Sequence, residues 1–330
     1  RNYWDTTPDS SKADFIFRMF EPNGDEAFSC GNGLMSIANY LYQRYGTESA
    51  KIMTEVPFAT PRVITIGTDP KEGLSWVNLG QARRVPADVA SHAVRRPVDD
   101  CIDAFDKITI KFRSYDLKAY TDKPSLQMSG YLVFTGEPHL VIFPDDTFSD
   151  LNLAKCMFSL ASSELAPSRM GGRVSVGLWL AQRIGEFLND SFRSHFPSGI
   201  NVNFAKVYSE RQCVEYRCFE RGINRETLTC GTGAAAVAVV SKHLGYLRGR
   251  VITVLPHLCR GHEPEAAIQV VQAPGSEWCL FGTPSMLVDG NFVSMPGNEG
   301  VQVVHCGYDT FDVLTLEEQL LRRRTTGTNG

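Results

Sequence analysis

No uninterrupted apolar run in the sequence approaches the roughly 20 residues that a membrane-spanning helix needs, which argues against a helical membrane protein. Residues 1–12, RNYWDTTPDSSK, lack the charged-then-apolar order of a secretory signal. A basic surplus is also missing. With 33 Lys+Arg against 37 Asp+Glu the formal charge is −4, which leaves no electrostatic footprint for nucleic acid and no polybasic arm for a membrane surface. Nine cysteines, an odd number scattered over 330 residues, do not make a disulfide framework and suit free thiols in a reducing cytoplasm. No strand-to-loop phosphate cradle with a Schiff-base lysine is visible, so no pyridoxal cofactor is expected. The chain starts at Arg1 without an initiator methionine, so upstream sequence is expected to be missing.

What is present is enough apolar residue, 43% against 21% charged, for two moderate cores. Strand-like stretches fill the first third: 15–20, 63–66, 76–79 and 108–112, with Gly, Pro and Asp between them. Leu34 to Tyr45 has helical apolar spacing, which Gly46 would stop. The chain turns polar around Tyr120 to Ser129, and a new apolar run resumes at Tyr131. Residues 151–190 read as two helices with a flexible joint at Pro167 and Gly171-Gly172. Strands follow at 201–207 and 214–219, then an apolar helix from Ala234 to Gly245 and a strand at 251–255. The tail holds a strand candidate at 301–304 and a helix candidate at 316–324, and its end should be disordered. The expected class is α/β (α+β): two pseudo-symmetric domains, each a strand-rich, mostly antiparallel sheet around a central helix. Residues 1–124 plus 285–293 would form the first domain. Residues 125–284 would form the second, with a helical insertion near 147–190, leaving 294–330 as a C-terminal extension.

One internal repeat carries chemistry. Glu26-x-x-x-Cys30-Gly31-Asn32-Gly33 recurs as Glu226-x-x-x-Cys230-Gly231-Thr232-Gly233, each followed at once by an apolar helix. A helix start offers unpaired N–H groups and positive dipole to an anion, and glycines let a ligand approach the backbone. If the halves pack about a pseudo-two-fold axis, a thiol stands on either side of whatever binds between the helix starts. That arrangement suits inversion at a carbon: one thiolate removes a proton from one face and the other thiol delivers one to the opposite face. Such a reaction needs no cofactor. Taken singly, a Cys before Gly-x-Gly is a small buried turn residue; the doubling is what points to catalysis.

The chain resembles diaminopimelate epimerase and its pyridoxal-independent relatives from about Asp14 to Val293. FRMFEPNGDEAFSCGNG is similar to the first cysteine segment of that family, GEPHLVIFPDD to its mid-chain turn, GINVNF to its substrate-asparagine strand and FERGINRETLTCGTGAA to its second cysteine signature. The resemblance implies an isomerase that converts LL- to meso-diaminopimelate in lysine and cell-wall biosynthesis, with Cys30 and Cys230 as the base and acid pair. It implies that Gly31, Asn32, Gly231 and Thr232 bind the reacting α-carboxylate, and that Asn201, Glu220 and Arg221 hold the distal end of the substrate. Proline racemases share the fold and the cysteine pair, but Glu220-Arg221-Gly222 favours the diaminopimelate side. The family's N-terminal Asn-Asp-Phe motif is not found here. Glu21 and Glu137 stand where the family has asparagines that touch the distal end. Two extra carboxylates there argue for an amino acid with a basic distal group, such as lysine, arginine, ornithine or histidine, nearly level with diaminopimelate itself. The alternative in which both glutamates turn away and bridge to Lys or Arg stays open. So do a catalytically silent binding protein on the same fold and a redox protein cycling the two thiols.

The remaining features are read as structural. His257-x-Cys259-x-x-His262 has metal-ligand residue types but no fourth ligand, so no metal is expected. His139 is taken as a turn histidine satisfied by backbone, and cysteines 101, 156, 213, 218, 279 and 306 as packing. The expected partner is a small-molecule amino acid, with neither nucleic acid nor membrane, and a homodimer is left open.

Overall fold

In the computed structural model, which describes residues 9–21, 24–58, 60–91, 95–111, 117, 119–160, 165–167, 173–260, 266–285, 291–293 and 302–304, strand pairing organises the chain. Two compact units are present, Arg1–Ser285 and Met286–Gly330. The first contains one fourteen-stranded sheet. From one edge its strands run Phe15–Ile16, Ser49–Thr54, Arg62–Asp69, Leu74–Gln81, Glu277–Gly282, Ile268–Gln272 and Val251–Pro256. The order continues through Cys213–Glu220, Asn201–Tyr208, Pro138–Ile142, Ser125–Phe134, Asp103–Lys111 and Arg95–Pro97, with Arg225–Glu226 joined to Cys213–Glu220. Most neighbours are antiparallel, and the alternation of buried and half-buried residues along Leu74–Gln81 fits a strand with one face more covered than the other. In the second unit, Asn291–Val293 pairs antiparallel with Gln302–Val304.

Five helices lie among the described residues: α1 (Gly31–Tyr45), α2 (Pro144–Thr147), α3 (Leu151–Met157), α4 (Val176–Asp190) and α5 (Gly231–His243). α1 buries Gly31, Leu34, Met35, Ala38 and Leu41, one stripe at helical spacing, against the strands Arg62–Asp69 and Leu74–Gln81. Gly46 ends it in a left-handed conformation (φ 68°). α5 is buried on every side from Gly231 to Ser241, because its Ala and Val side chains are small enough for strands to wrap it. It touches both halves of the sheet, from Ser125–Phe134 round to Glu277–Gly282, and it touches α1. No helix among the described residues is long and apolar enough to cross a membrane.

Several boundaries differ from the sequence reading. The halves expected to part near 124 lie in one unit, and Arg95–Pro97 and Asp103–Lys111 extend the sheet beside Ser125–Phe134. The strand that returns to the first half is Glu277–Gly282, paired with Leu74–Gln81, whereas Asn291–Val293 of the 285–293 segment pairs within the second unit. Its buried Trp278 and Leu280 alternate as that central position demands. The stretch 15–20 is two short strands, Phe15–Ile16 and Met19–Phe20. Between α3 and α4 the flexible joint is replaced by an antiparallel pair, Leu165–Pro167 with Arg173–Ser175; Gly171 and Gly172 fall outside the described residues, as do the 316–324 helix candidate and Cys306.

The 147–190 insertion braces the second half. A Cβ on Gly185 of α4 would stand 2.1 Å from the Phe219 ring, so only glycine lets the helix lie this close to the strand Cys213–Glu220. Gly185→Ala should therefore lift α4 off Phe219 and cost roughly 1–3 kcal/mol, as overpacking does. Urea unfolding checks this, and an unchanged midpoint would mean that the contact is not rigid.

Candidate active site

Each cysteine of the repeat is the N-cap of its helix. Cys30 (φ −147°, ψ 108°) and Cys230 (φ −130°, ψ 113°) have extended backbones, and each sulfur accepts the N–H three residues on, from Gly33 and Gly233, at 3.4 Å. Ser, Thr, Asp or Asn usually fills that position. The first intrahelical bonds run from Leu34 N to Cys30 O and from Ala234 N to Cys230 O. The N–H groups of Gly31, Asn32, Gly231 and Thr232 thus lie ahead of the helical ladder, beside the sulfurs.

The two helix starts meet. A Cβ on Gly31 would be 3.0 Å from Gly231 Cα, and a Cβ on Gly231 would be 3.0 Å from Gly31 Cα. Asn32 Nδ2 crosses the junction to donate to Thr229 O at 2.9 Å, and Thr135 Oγ1 donates to Thr232 O at 2.8 Å. Burial pushes the Cys30 thiol up to about 12, against the lowering pull of the Gly33 N–H, with smaller raising effects from Cys230, Glu220 and Glu137. Tyr216 clamps the other cap: its hydroxyl donates to Cys230 O at 2.9 Å and accepts from Cys230 N at 2.8 Å.

Strand register extends the repeat beyond what the sequence comparison of the two halves revealed. Phe20 pairs with Glu26 in one short hairpin, and Phe219 pairs with Glu226 in the other. Two residues before each Phe is an arginine, and one after it is a glutamate. The full unit is Arg18-x-Phe20-Glu21…Glu26-x-x-x-Cys30 and Arg217-x-Phe219-Glu220…Glu226-x-x-x-Cys230. Both arginines grip their glutamates with the same fork, Nε to Oε1 and Nη2 to Oε2, all at 2.8 Å. Arg217 also donates from Nη1 to Met157 O at 2.7 Å, which ties the insertion to the cysteine hairpin. The loop is one residue longer in the second copy, which hid the arginines from a fixed-spacing comparison.

Beside the thiols lies a group of carboxylates. A Glu220 oxygen is within 4.8 Å of the sulfurs of both Cys218 and Cys230, so Glu220 sits next to a thiol. Burial raises Glu220 to about 7, while hydrogen bonds from Thr227 and Cys230 oppose the rise and Glu21 and Glu137 add to it. Glu137 is buried and fully engaged. Its Oε1 accepts from Phe28 N (2.5 Å) and Ser29 N (2.9 Å), and its Oε2 accepts from Arg221 Nε (3.0 Å) and Nη2 (2.5 Å). Arg221 Nη1 donates to Ser198 O at 2.9 Å, and its backbone N donates to Asn201 Oδ1 at 2.9 Å. Glu21 packs over Gly222, half-buried, and burial first and Glu137 second hold its carboxyl above the ordinary range. The expectation of two free negative charges is therefore corrected at Glu137, which bridges to Arg221.

Other readings shift as well. His139 is on a strand, not in a turn, and its Nδ1 meets Asn203 Nδ2 at 3.0 Å. Burial, then the charge of Arg221, pushes it down to about 3, so it is neutral. Asn203 Oδ1 would lie 2.6 Å from a Cβ on Gly233, at the start of α5. Cys218 is more than packing, since its sulfur lies within 4.8 Å of the Cys230 sulfur and of a Glu220 oxygen. His257 Nδ1 meets Glu215 Oε1 at 2.7 Å, while His262 lies outside the described residues. Among the described residues, Asp99, Cys101 and His243 also bring three ligand-type atoms together, with the imidazole of His243 bonded to both of the others.

No family model matches the chain. Diaminopimelate epimerase of Archaeoglobus fulgidus is 26% identical to it over 253 residues, covering 74% of this chain and 67% of that one. The enzymes of the same name from Methanothrix thermoacetophila and Halothermothrix orenii are each 28% identical over 251 residues, covering 74% and 76% of this chain and 66% and 70% of theirs. The chain thus spans about two thirds of the length of these curated relatives. Among solved structures, a predicted epimerase from Pseudomonas aeruginosa aligns with a TM-score of 0.43 at 13% identity, covering 83% of this chain and 79% of that one.

The two arginine forks differ in burial. The Arg217 and Glu226 side chains are each 1% exposed, whereas Arg18 is 21% exposed. Glu226→Gln should leave a buried guanidinium without its charge partner and cost about 3–5 kcal/mol, with Glu26→Gln costing clearly less. Chemical denaturation of both variants checks the ranking, and equal losses would contradict it.

Proposed function

We propose that this chain, an isomerase related to the diaminopimelate epimerases, inverts the α-carbon of an amino acid with Cys30 and Cys230 as its acid and base. The supporting observation is that both thiols cap helices whose first residues are in contact, so a ligand carboxylate held at that junction has a sulfur at each helix start. The N–H groups of Gly31, Asn32, Gly231 and Thr232 bind the α-carboxylate and, with the two dipoles, stabilise the charge it gains as the α-proton leaves. One thiolate takes the proton from one face and the opposite thiol returns a proton to the other. After a turnover the two sulfurs have exchanged protonation states, as reversal requires. Glu220, next to Cys230, receives the α-ammonium group. Two substrate classes meet these requirements: diaminopimelate, after the relatives' name, and an amino acid with a basic side chain.

Cys30→Ala and Cys230→Ala should each lower inversion at least about a thousandfold, because each direction needs both groups. Chiral chromatography of the product checks this, and near wild-type inversion by either variant overturns the two-thiol reading. Binding without α-deuterium exchange would make the protein a silent binder. Inversion should survive EDTA and need no added pyridoxal phosphate. The apparent affinity for substrate should fall as pH drops below about 7, where Glu220 takes up its proton, and Glu220→Gln should remove that limb of the pH profile.

A further inference from the structure

We infer that the ligand of this site is an α-amino acid whose side chain carries a cation and no second carboxylate. The inference rests on the two-thiol reading and deepens it.

The first ground is the state of Arg221, the cation nearest the carboxylate group of the site. Its Nε and Nη2 are committed to Glu137 and its Nη1 to the Ser198 carbonyl, while the Phe28 ring lies 5.1 Å below its guanidinium carbon. Glu137 is in turn pinned by the N–H groups of Phe28 and Ser29. Arg221 is therefore a neutralised structural pair, with no unmet charge to offer a distal carboxylate. Releasing it would strand Glu137, which is 5% exposed, as a buried anion.

The second ground is what remains. Glu21 and Glu220 make no ion pair or hydrogen bond to a cation among the described residues, and burial and the neighbouring acids raise each of them, outweighing the opposing charge of Arg221 at Glu21 and the hydrogen bonds to Glu220. Asp25 adds to the negative field at Glu21. An amino acid's α-ammonium satisfies one of these two carboxylates, and the other still faces the ligand without a counter-charge.

The third ground is symmetry. Glu21 and Glu220 follow the paired Phe20 and Phe219, and so occupy matching places in the two copies of the repeat. An axis that exchanges the thiols and passes through the α-carbon and its carboxylate also exchanges the other two in-plane substituents, the ammonium and the side chain. Glu220 beside Cys230 serves the ammonium, so its mate Glu21 lies toward the side chain. There it favours a cation, and it repels a carboxylate that Arg221 is not free to offset.

The test is α-deuterium incorporation in deuterated buffer by the full chain, with L-lysine, L-ornithine, L-arginine, LL-diaminopimelate and L-norleucine offered separately. At least one basic amino acid should exceed both diaminopimelate and norleucine by about a hundredfold in kcat/KM. Glu21→Gln should reduce the preference for that basic amino acid over norleucine by about tenfold or more. Faster exchange of diaminopimelate than of every basic member overturns the inference and leaves the two-thiol reading standing, as does an unchanged preference in Glu21→Gln. No exchange on any member overturns the two-thiol reading and this inference with it.

Discussion

Two helix ends of like sign are pressed together at Gly31 and Gly231, and the surrounding structure holds them there. Each N-terminus carries the equivalent of about half a positive charge. At about 4 Å and an effective dielectric near 20, the two repel by about 1 kcal/mol, a cost that an anion bound between them reverses. The nearest carboxylates do not discharge that field: Glu137 is spent on Arg221 and the Phe28 and Ser29 N–H groups, and Glu220 accepts from Thr227. One bond crosses the junction, from Asn32 to Thr229, and Thr135 holds the start of α5 through the Thr232 carbonyl. The Glu277–Gly282 strand completes the closure by joining the two halves of the sheet.

Behind each thiol the same device sets the cap. The arginine fork on Glu26 or Glu226 fixes the hairpin four residues before the cysteine, so the sulfur enters the helix at a defined angle. The two copies differ in what covers them. Arg217 is enclosed by the insertion, whose Met157 carbonyl takes its remaining arm, while Arg18 keeps an edge to solvent. α5 is likewise enclosed on all sides, whereas α1 shows Tyr40 and Tyr45 to water. The insertion, which carries no readable motif, thus makes the second half the more rigid support.

Local signals were legible in sequence and distant partnerships were not. Cys-Gly-x-Gly before an apolar run marks a capped helix because the chemistry lies within four residues, and both helices begin at that glycine. The strand Ser49–Thr54 has a weak local signature, because only Ile52 and Thr54 in it are β-branched. The arginine forks were hidden by one extra residue in the second loop. The pairing of Glu137 with Arg221, 84 positions apart, has no local trace at all, since it depends on Phe28 and Ser29 of the other half presenting their N–H groups to the same carboxylate. Charge counted from sequence therefore overstated the negative field at Glu137.

The protonation of Cys30 shows how that field is put to use. A helix N-terminus lowers a thiol's pKa, but here burial is the larger effect, and the free site holds Cys30 at about 12. A buried thiol at that value is a poor base at neutral pH. A unit positive charge about 4 Å away favours the thiolate by about 4 kcal/mol at a dielectric near 20, which is about three pK units. A ligand bearing cations would then bring its own base within reach, with the surplus carboxylates drawing those cations in. On this account the acidity of the site and the basicity of its thiols are one design: carboxylates that raise the resting thiol also gather the charge that lowers it again.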